Sequence, residues 1–184
     1  MTADNLAGIR PKDFLTYGPS KLLVDEYHWH SPNAGIVASY TPRERDVEGH
    51  FDIFRGVDQI ESFAQATVVS CGTFLECKKQ RCESAELNKI YIPAFISIGD
   101  VIFHNYLEKG DTFVNIGRIT FSKFRQVTCE GRIYKAPQGL DLDAYFGNFD
   151  EDRLAAYDIS SDFVLITELN NITGRALKRE LMKK

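Results

Sequence analysis

The feature that most limits how this chain can fold is the segment "IESFAQATVVSCGTFL", residues 60–75. It is apolar or small on nearly every face and has no broad polar stripe. The β-branched run would suit a strand, but the length predicts a helix from about Val57 to Leu75. A helix without a polar face must be buried all round rather than laid on a surface. Other elements therefore have to enclose it.

Those elements read as strands. "KLLVDEYHW" (21–29) and "IVASYT" (36–41) flank the turn signal "SPNAG", which predicts a hairpin. A charged stretch, "ECKKQRCESAELNK" (76–89), reads as a loop after the helix. Three β-like segments follow at 95–107, 112–124 and 127–136. The polar tetrapeptide "EKGD" between the first two predicts antiparallel neighbours joined by a tight turn. The expected class is α+β, with an antiparallel sheet wrapped round one long central helix.

A chain of 184 residues with 43% hydrophobic content can bury one good core, so a single domain is expected over 1–137, its core starting near residue 20. Residues 138–184 differ in composition and read as a C-terminal extension. There "LDLDAYFGNFDEDRL" is acidic and aromatic, "DFVLITEL" offers an added strand, and "GRALKRELMKK" offers a short basic helix. A net charge of -4 argues against general nucleic-acid binding, which needs a concentrated basic footprint. The start, "MTADNLAGIRPKDF", lacks the apolar run of a secretory signal, and no stretch approaches the ~20 apolar residues of a membrane span. A cytoplasmic location is the expectation. Cys71, Cys77, Cys82 and Cys129 fit reduced thiols. The Cys77–Cys82 spacing would suit zinc, but no further ligands follow at the right separation, so no metal is expected.

Several of these residues carry a resemblance. "LLVDEYHW…GIVASYTPRERDVEGHF…RGVDQIESFAQA" is similar to the 3-hydroxyacyl-[acyl-carrier-protein] dehydratases, members of the hotdog-fold superfamily of thioester dehydratases and thioesterases. The matching positions are Gly49-His50-Phe51, Gly56-Val57, Glu61 and Ala64-Gln65, and the likeness spans roughly residues 20–136. Asp52 and Arg55 stand where that family has prolines, and the loop from His50 to Gly56 is a few residues shorter. The resemblance implies the hotdog fold, a homodimer or higher homo-oligomer, and an active site built from two subunits. It also implies an acyl-carrier-protein or coenzyme A thioester as substrate, in fatty-acid or polyketide-like biosynthesis, with no cofactor.

By the same resemblance His50 is the catalytic base and Glu61 the acid. A base must take the α-proton of the thioester and an acid must protonate the departing hydroxyl. Histidine suits the first task because it titrates near neutrality. A carboxyl on a buried helix suits the second, since desolvation favours its protonated form. Backbone N–H groups of Gly56 and Val57, at the helix start, are placed to polarise the thioester carbonyl, and glycine permits close approach. Gln65 lies one turn after Glu61 and can orient its carboxyl. Arg55 reads either as an exposed loop residue or as a grip for a substrate carboxylate or carrier phosphate. His28, His30 and His104 fall in strand patterns and read as structural. Two alternatives stay open: a thioesterase activating water with Glu61, Asp52 or Asp58, and a non-catalytic acyl-binding domain.

Overall fold

The computed structural model describes residues 4–182. In chain order the elements are α1 (Pro11–Phe14), β1 (Glu26–Ser31), β2 (Gly35–Tyr40), α2 (Glu44–Val47), β3 (Ile53–Phe54) and α3 (Gly56–Ala64). A π-turn (Gln65–Val69) joins α3 to α4 (Ser70–Gln80) without a break, and α5 (Ser84–Ile90) comes next. Then come β4 (Tyr91–Ser97), β5 (Val101–Phe103), β6 (Leu107–Glu108), β7 (Phe113–Lys123) and β8 (Gln126–Lys135). The described residues end with α6 (Leu142–Phe146), α7 (Glu151–Ala156), β9 (Val164–Lys178) and a 3₁₀ turn (Arg179–Met182).

The main sheet is antiparallel throughout, in the order β1-β2-β7-β8-β9-β4, with β5 added at the other end of β9. It curls round the helix running from Gly56 to Gln80. Phe63, Ala64 and Val68 from that helix pack with Phe113, Val127, Ile133 and Ile172 from the strands. A second layer, on the outer face of β1, β2 and β7, places Phe146, Phe149 and Phe163 against Val37, Val114 and Ile116.

The helix sits so close to the sheet because three strands present glycine beneath it. A Cβ on Gly117 would come within 2.2 Å of Thr67 Cγ2, and one on Gly174 within 2.5 Å of Val68 Cγ1. One on Gly131 would meet the Ile116 carbonyl at 2.1 Å and the Phe63 ring at 2.8 Å. Overpacking a filled interior forces backbone and side chains apart. Gly131→Val is therefore expected to cost about 3 kcal/mol or more, read as a lowered urea midpoint.

The helix and the first hairpin fall where the sequence places them, and four local expectations are corrected. β1 begins at Glu26 rather than residue 21, because helix side chains take the preceding backbone: Leu23 N–H donates to Gln65 Oε1 (2.9 Å) and Ser62 Oγ–H to the Leu23 carbonyl (2.7 Å). Residues 76–89 are not a loop. The helix continues to Gln80, Arg81 closes it in the left-handed region (φ 55°), and α5 starts from a capping box of Glu83 and Glu86. "EKGD" joins no hairpin, since β6 pairs with β3 while β5 and β4 pair with β9. Residues 174–178, read as the start of a basic helix, are strand: β9 lies between β8 and β4 in the sheet. Residues 183–184 of that expected helix lie outside the described residues.

Candidate functional site

Glu61 projects from α3 and is half-buried, not enclosed as an all-apolar helix predicts. It lines a cavity of about 480 Å³ between the helix and the strands β4, β8 and β9. Ala64, Val68 and Gly72 follow it at helical spacing along one wall, and Tyr91, Phe95 and Val127 contribute to the other. The small residues on the helix leave the room that an elongated apolar ligand would fill.

Gln65 fixes the Glu61 carboxylate. Its Nε2 donates to Glu61 Oε1 (2.8 Å) and to the Lys21 carbonyl (2.8 Å), while its Oε1 accepts from Leu23 N–H. With all three groups satisfied and the side chain fully buried, the amide cannot turn without breaking backbone contacts. The π-turn begins at this residue, and Ser70 Oγ–H donates to the Gln65 carbonyl (2.6 Å). A π-turn inside a long helix often marks a functional position.

His50 stands on the exposed loop before β3. Its Nδ1 lies 3.0 Å from the Ile53 carbonyl, which can only accept, so Nδ1 carries the proton and Nε2 is left as the base. The loop is conformationally costly. Phe51 (φ 56°) and Asp52 (φ 59°) both adopt the left-handed region, and Phe51 is 92% exposed. Each such non-glycine residue costs about 1–2 kcal/mol. The loop is held down by Lys109 N–H donating to the Asp52 carbonyl (3.0 Å).

Among the described residues no hydrogen bond joins His50 to Glu61, and His50 does not line the cavity that Glu61 lines. Arg55 is exposed and forms a bidentate pair with Asp58 (2.6 and 2.9 Å), which occupies both side chains. Gly56 and Val57 open α3, where their N–H groups have no intrahelical acceptor. The space over Gly56 is filled: a Cβ there would lie 2.7 Å from Cζ of Phe103. Phe103, rather than an open approach, is what the glycine accommodates here. His104 is held by Glu168 (2.9 Å) and His28 by Asp143 and Ser39. His30 accepts from Leu6 N–H (3.1 Å), and burial lowers its pKa to about 4. The four cysteines are free thiols, and burial raises Cys77 and Cys129 to about 12.

No protein-family model matches the chain, and no curated protein matches it. Solved structures do. A chain of the dehydratase heterocomplex ApeI:P from Xenorhabdus doucetiae superposes with a TM-score of 0.60 at 11% identity, over 96% of this chain and 99% of that one. The chain has the hotdog fold. An uncharacterized protein of Pyrococcus horikoshii, PH1136, aligns over 93% of this chain and 96% of its own, with a TM-score of 0.50 and 9% identity. The 1,4-dihydroxy-2-naphthoyl-CoA thioesterase Slr0204 from Synechocystis gives 0.46 at 9% identity, over 82% of this chain and 87% of its own.

Within this hotdog domain two features escape the sequence reading. Tyr17 joins Glu61 in the cavity wall, and burial together with the Glu61 charge pushes its hydroxyl well above the ordinary range. A single tyrosine 44 positions before its neighbour leaves no periodic signal. The second feature is the free edge of β4, where Phe95 and Ile96 are exposed, with Ile98, Ile102, Phe103 and Tyr106 exposed on the residues that follow. A long apolar edge strand is a template for pairing with another chain. No helix among the described residues is long and apolar enough to cross a membrane.

Proposed function

We propose that this chain is a dehydratase that removes water from 3-hydroxyacyl thioesters, carried on acyl-carrier protein or coenzyme A, and that it works as a homodimer. The observation that carries the reading is the Glu61 carboxyl, clamped by Gln65 and set in the wall of a cavity roomy enough for an acyl chain. His50, with Nε2 free to accept a proton, supplies the complementary group from the partner subunit. The exposed apolar edge of β4 supports pairing of two copies through their sheets.

In the reaction His50 Nε2 takes the α-proton, the electrons of that C–H bond form the new double bond, and the C–O bond to the β-carbon breaks. Glu61 gives its proton to the leaving hydroxyl, which departs as water. The N–H groups of Gly56 and Val57 stabilise the charge that develops on the thioester oxygen. Phe103 must swing aside for that contact.

The test is turnover of 3-hydroxyacyl and enoyl thioesters, following both water transfer and free thiol. Reversible water transfer is expected, falling about 100- to 10,000-fold in His50→Ala and in Glu61→Gln. Thiol release without water transfer would instead make this a thioesterase using Glu61, since Asp58 is tied to Arg55. Acyl binding with neither reaction would leave a non-catalytic domain.

A further inference from the structure

On the outer face of the sheet, away from Glu61, three side chains stand in line. His28 Nε2 lies 2.8 Å from Ser39 Oγ, and His28 Nδ1 lies 2.5 Å from Asp143 Oδ1. The carboxylate can only accept, so Nδ1 carries the ring proton and Nε2 accepts from the serine hydroxyl. That direction leaves the lone pairs of Ser39 Oγ free and gives its proton a base to go to. It is the arrangement in which serine is activated as a nucleophile, recognised by geometry rather than by position in the chain.

The strands aim these groups deliberately. β1 and β2 slip register between Tyr27 and Trp29, so His28 is the extra residue of a β-bulge, a device that re-aims a side chain. Its ring is shut away from solvent, with 1% of the side chain exposed, and stacks on Phe146 at 6.2 Å. Asp143 comes from α6, beyond residue 138, and is itself 75% exposed. Glu26 brings a second carboxylate: its oxygen, the His28 nitrogen and the Asp143 oxygen all lie within 4.8 Å of one another. Two carboxylates thus stand beside one imidazole.

Ser39 is buried, 4% exposed, at the wall of a cavity. Ser39 and Asp143 line a second cavity, of about 720 Å³, with Lys12, Thr41, Arg43 and Thr112. Thr41 follows Ser39 by two residues, on the same side of the chain. Its hydroxyl lies 2.8 Å from that of Thr112. Only one hydrogen is spent between two hydroxyls, so the other is left to donate to an oxyanion in the cavity. Lys12 and Arg43 add positive charge, although Arg43 also binds Asp25 (2.6 Å).

We propose that Ser39, His28 and Asp143 form a second, hydrolytic site that cleaves carboxylic esters through an acyl-serine intermediate. Ser39 Oγ bonds to the ester carbonyl carbon while its proton passes to His28 Nε2, and the C–O bond to the alcohol breaks as His28 returns that proton to the leaving oxygen. Water then attacks the acyl-serine with His28 taking its proton. The Oγ–acyl bond breaks, Ser39 regains a proton from His28, and a carboxylic acid leaves. Ser39 and His28 touch the reacting atoms; Asp143 positions the ring.

The experiment is labelling of the full-length protein with a fluorophosphonate, located by peptide mass spectrometry, beside hydrolysis of p-nitrophenyl acetate. A phosphonyl adduct is expected on Ser39, absent in Ser39→Ala and formed about 100-fold more slowly in Asp143→Asn, with partial recovery in Asp143→Glu. Asp143 is exposed, so its variants leave the core intact, and near-ultraviolet circular dichroism verifies the fold of each. No adduct on Ser39, an adduct that persists in Ser39→Ala, or wild-type labelling rates in Asp143→Asn would each overturn the proposal.

Discussion

Mixing His50→Ala protein with Glu61→Gln protein, each inactive alone, should restore about a quarter of wild-type turnover if the pair is shared across a two-fold axis. Random exchange puts about half of the protomers' pairings into mixed dimers, and each mixed dimer assembles one intact site from two. The geometry motivates this. Glu61 lines its cavity without His50, and His50 hangs on an exposed loop whose Phe51 is almost wholly in solvent in the single chain. The left-handed conformations of Phe51 and Asp52 are sustained by ties to Lys109, a strain that makes sense where a loop must deliver a group outward. Subunits unfolded together and refolded, then assayed for water transfer, check it. Activity that stays at the level of the separate variants would place both residues' roles within one chain, or remove one of them.

The parts of the fold that were legible in the sequence are those with a local cause. The helix announced itself because residues 60–75 have no polar face, and the first hairpin because Pro32 and Asn33 sit between two apolar runs. β9 was read only as far as Leu169, because Asn170 and Asn171 interrupt its alternation. Asn171 in fact turns into the left-handed region (φ 56°) and the strand continues beyond it, paired with β8 and β4. The partners that make it a strand beyond Asn171 are 43 to 87 positions away, outside any local pattern. The site divides in the same way. His50, Glu61 and Gln65 were visible as residues in a family-like order, and the Glu61–Gln65 contact follows from helical spacing. The filling of the space over Gly56 by Phe103, the pairing of Arg55 with Asp58 and the arrival of Tyr17 beside Glu61 depend on tertiary packing. Ser39, His28 and Asp143 meet through a bulge in β1 and a helix that lies more than a hundred positions downstream.

Gln65→Leu should be among the costliest single changes near the site. Leucine fills a similar volume but offers no hydrogen bond, so Leu23 N–H and the Lys21 carbonyl lose their partners. Each backbone group left unsatisfied costs about 1–3 kcal/mol, so a loss near 3 kcal/mol is expected after partial access to water. For a chain of this size that corresponds to roughly 5–10 °C in Tm. The segment Lys21–Asp25 would loosen first, since helix side chains hold the backbone at Lys21 and Leu23. Glu61 would also lose its 2.8 Å contact and the fixed direction it gives the carboxyl. Turnover should fall through kcat, with KM little changed, because the cavity wall formed by Ala64, Val68 and Gly72 is untouched. Gln65→Glu keeps one of the three contacts. Its carboxylate can still accept from Leu23 N–H but cannot donate to Lys21 or Glu61, and it buries a charge beside a second carboxylate, so Tm should fall at least as far as with leucine, while kcat reports the loss of the donor to Glu61 in both variants. Thermal melts of both variants beside steady-state kinetics decide it. An unchanged Tm in Gln65→Leu would mean that the 21–25 segment is held by contacts other than this amide, and unchanged kcat in both would mean that Glu61 does not depend on it.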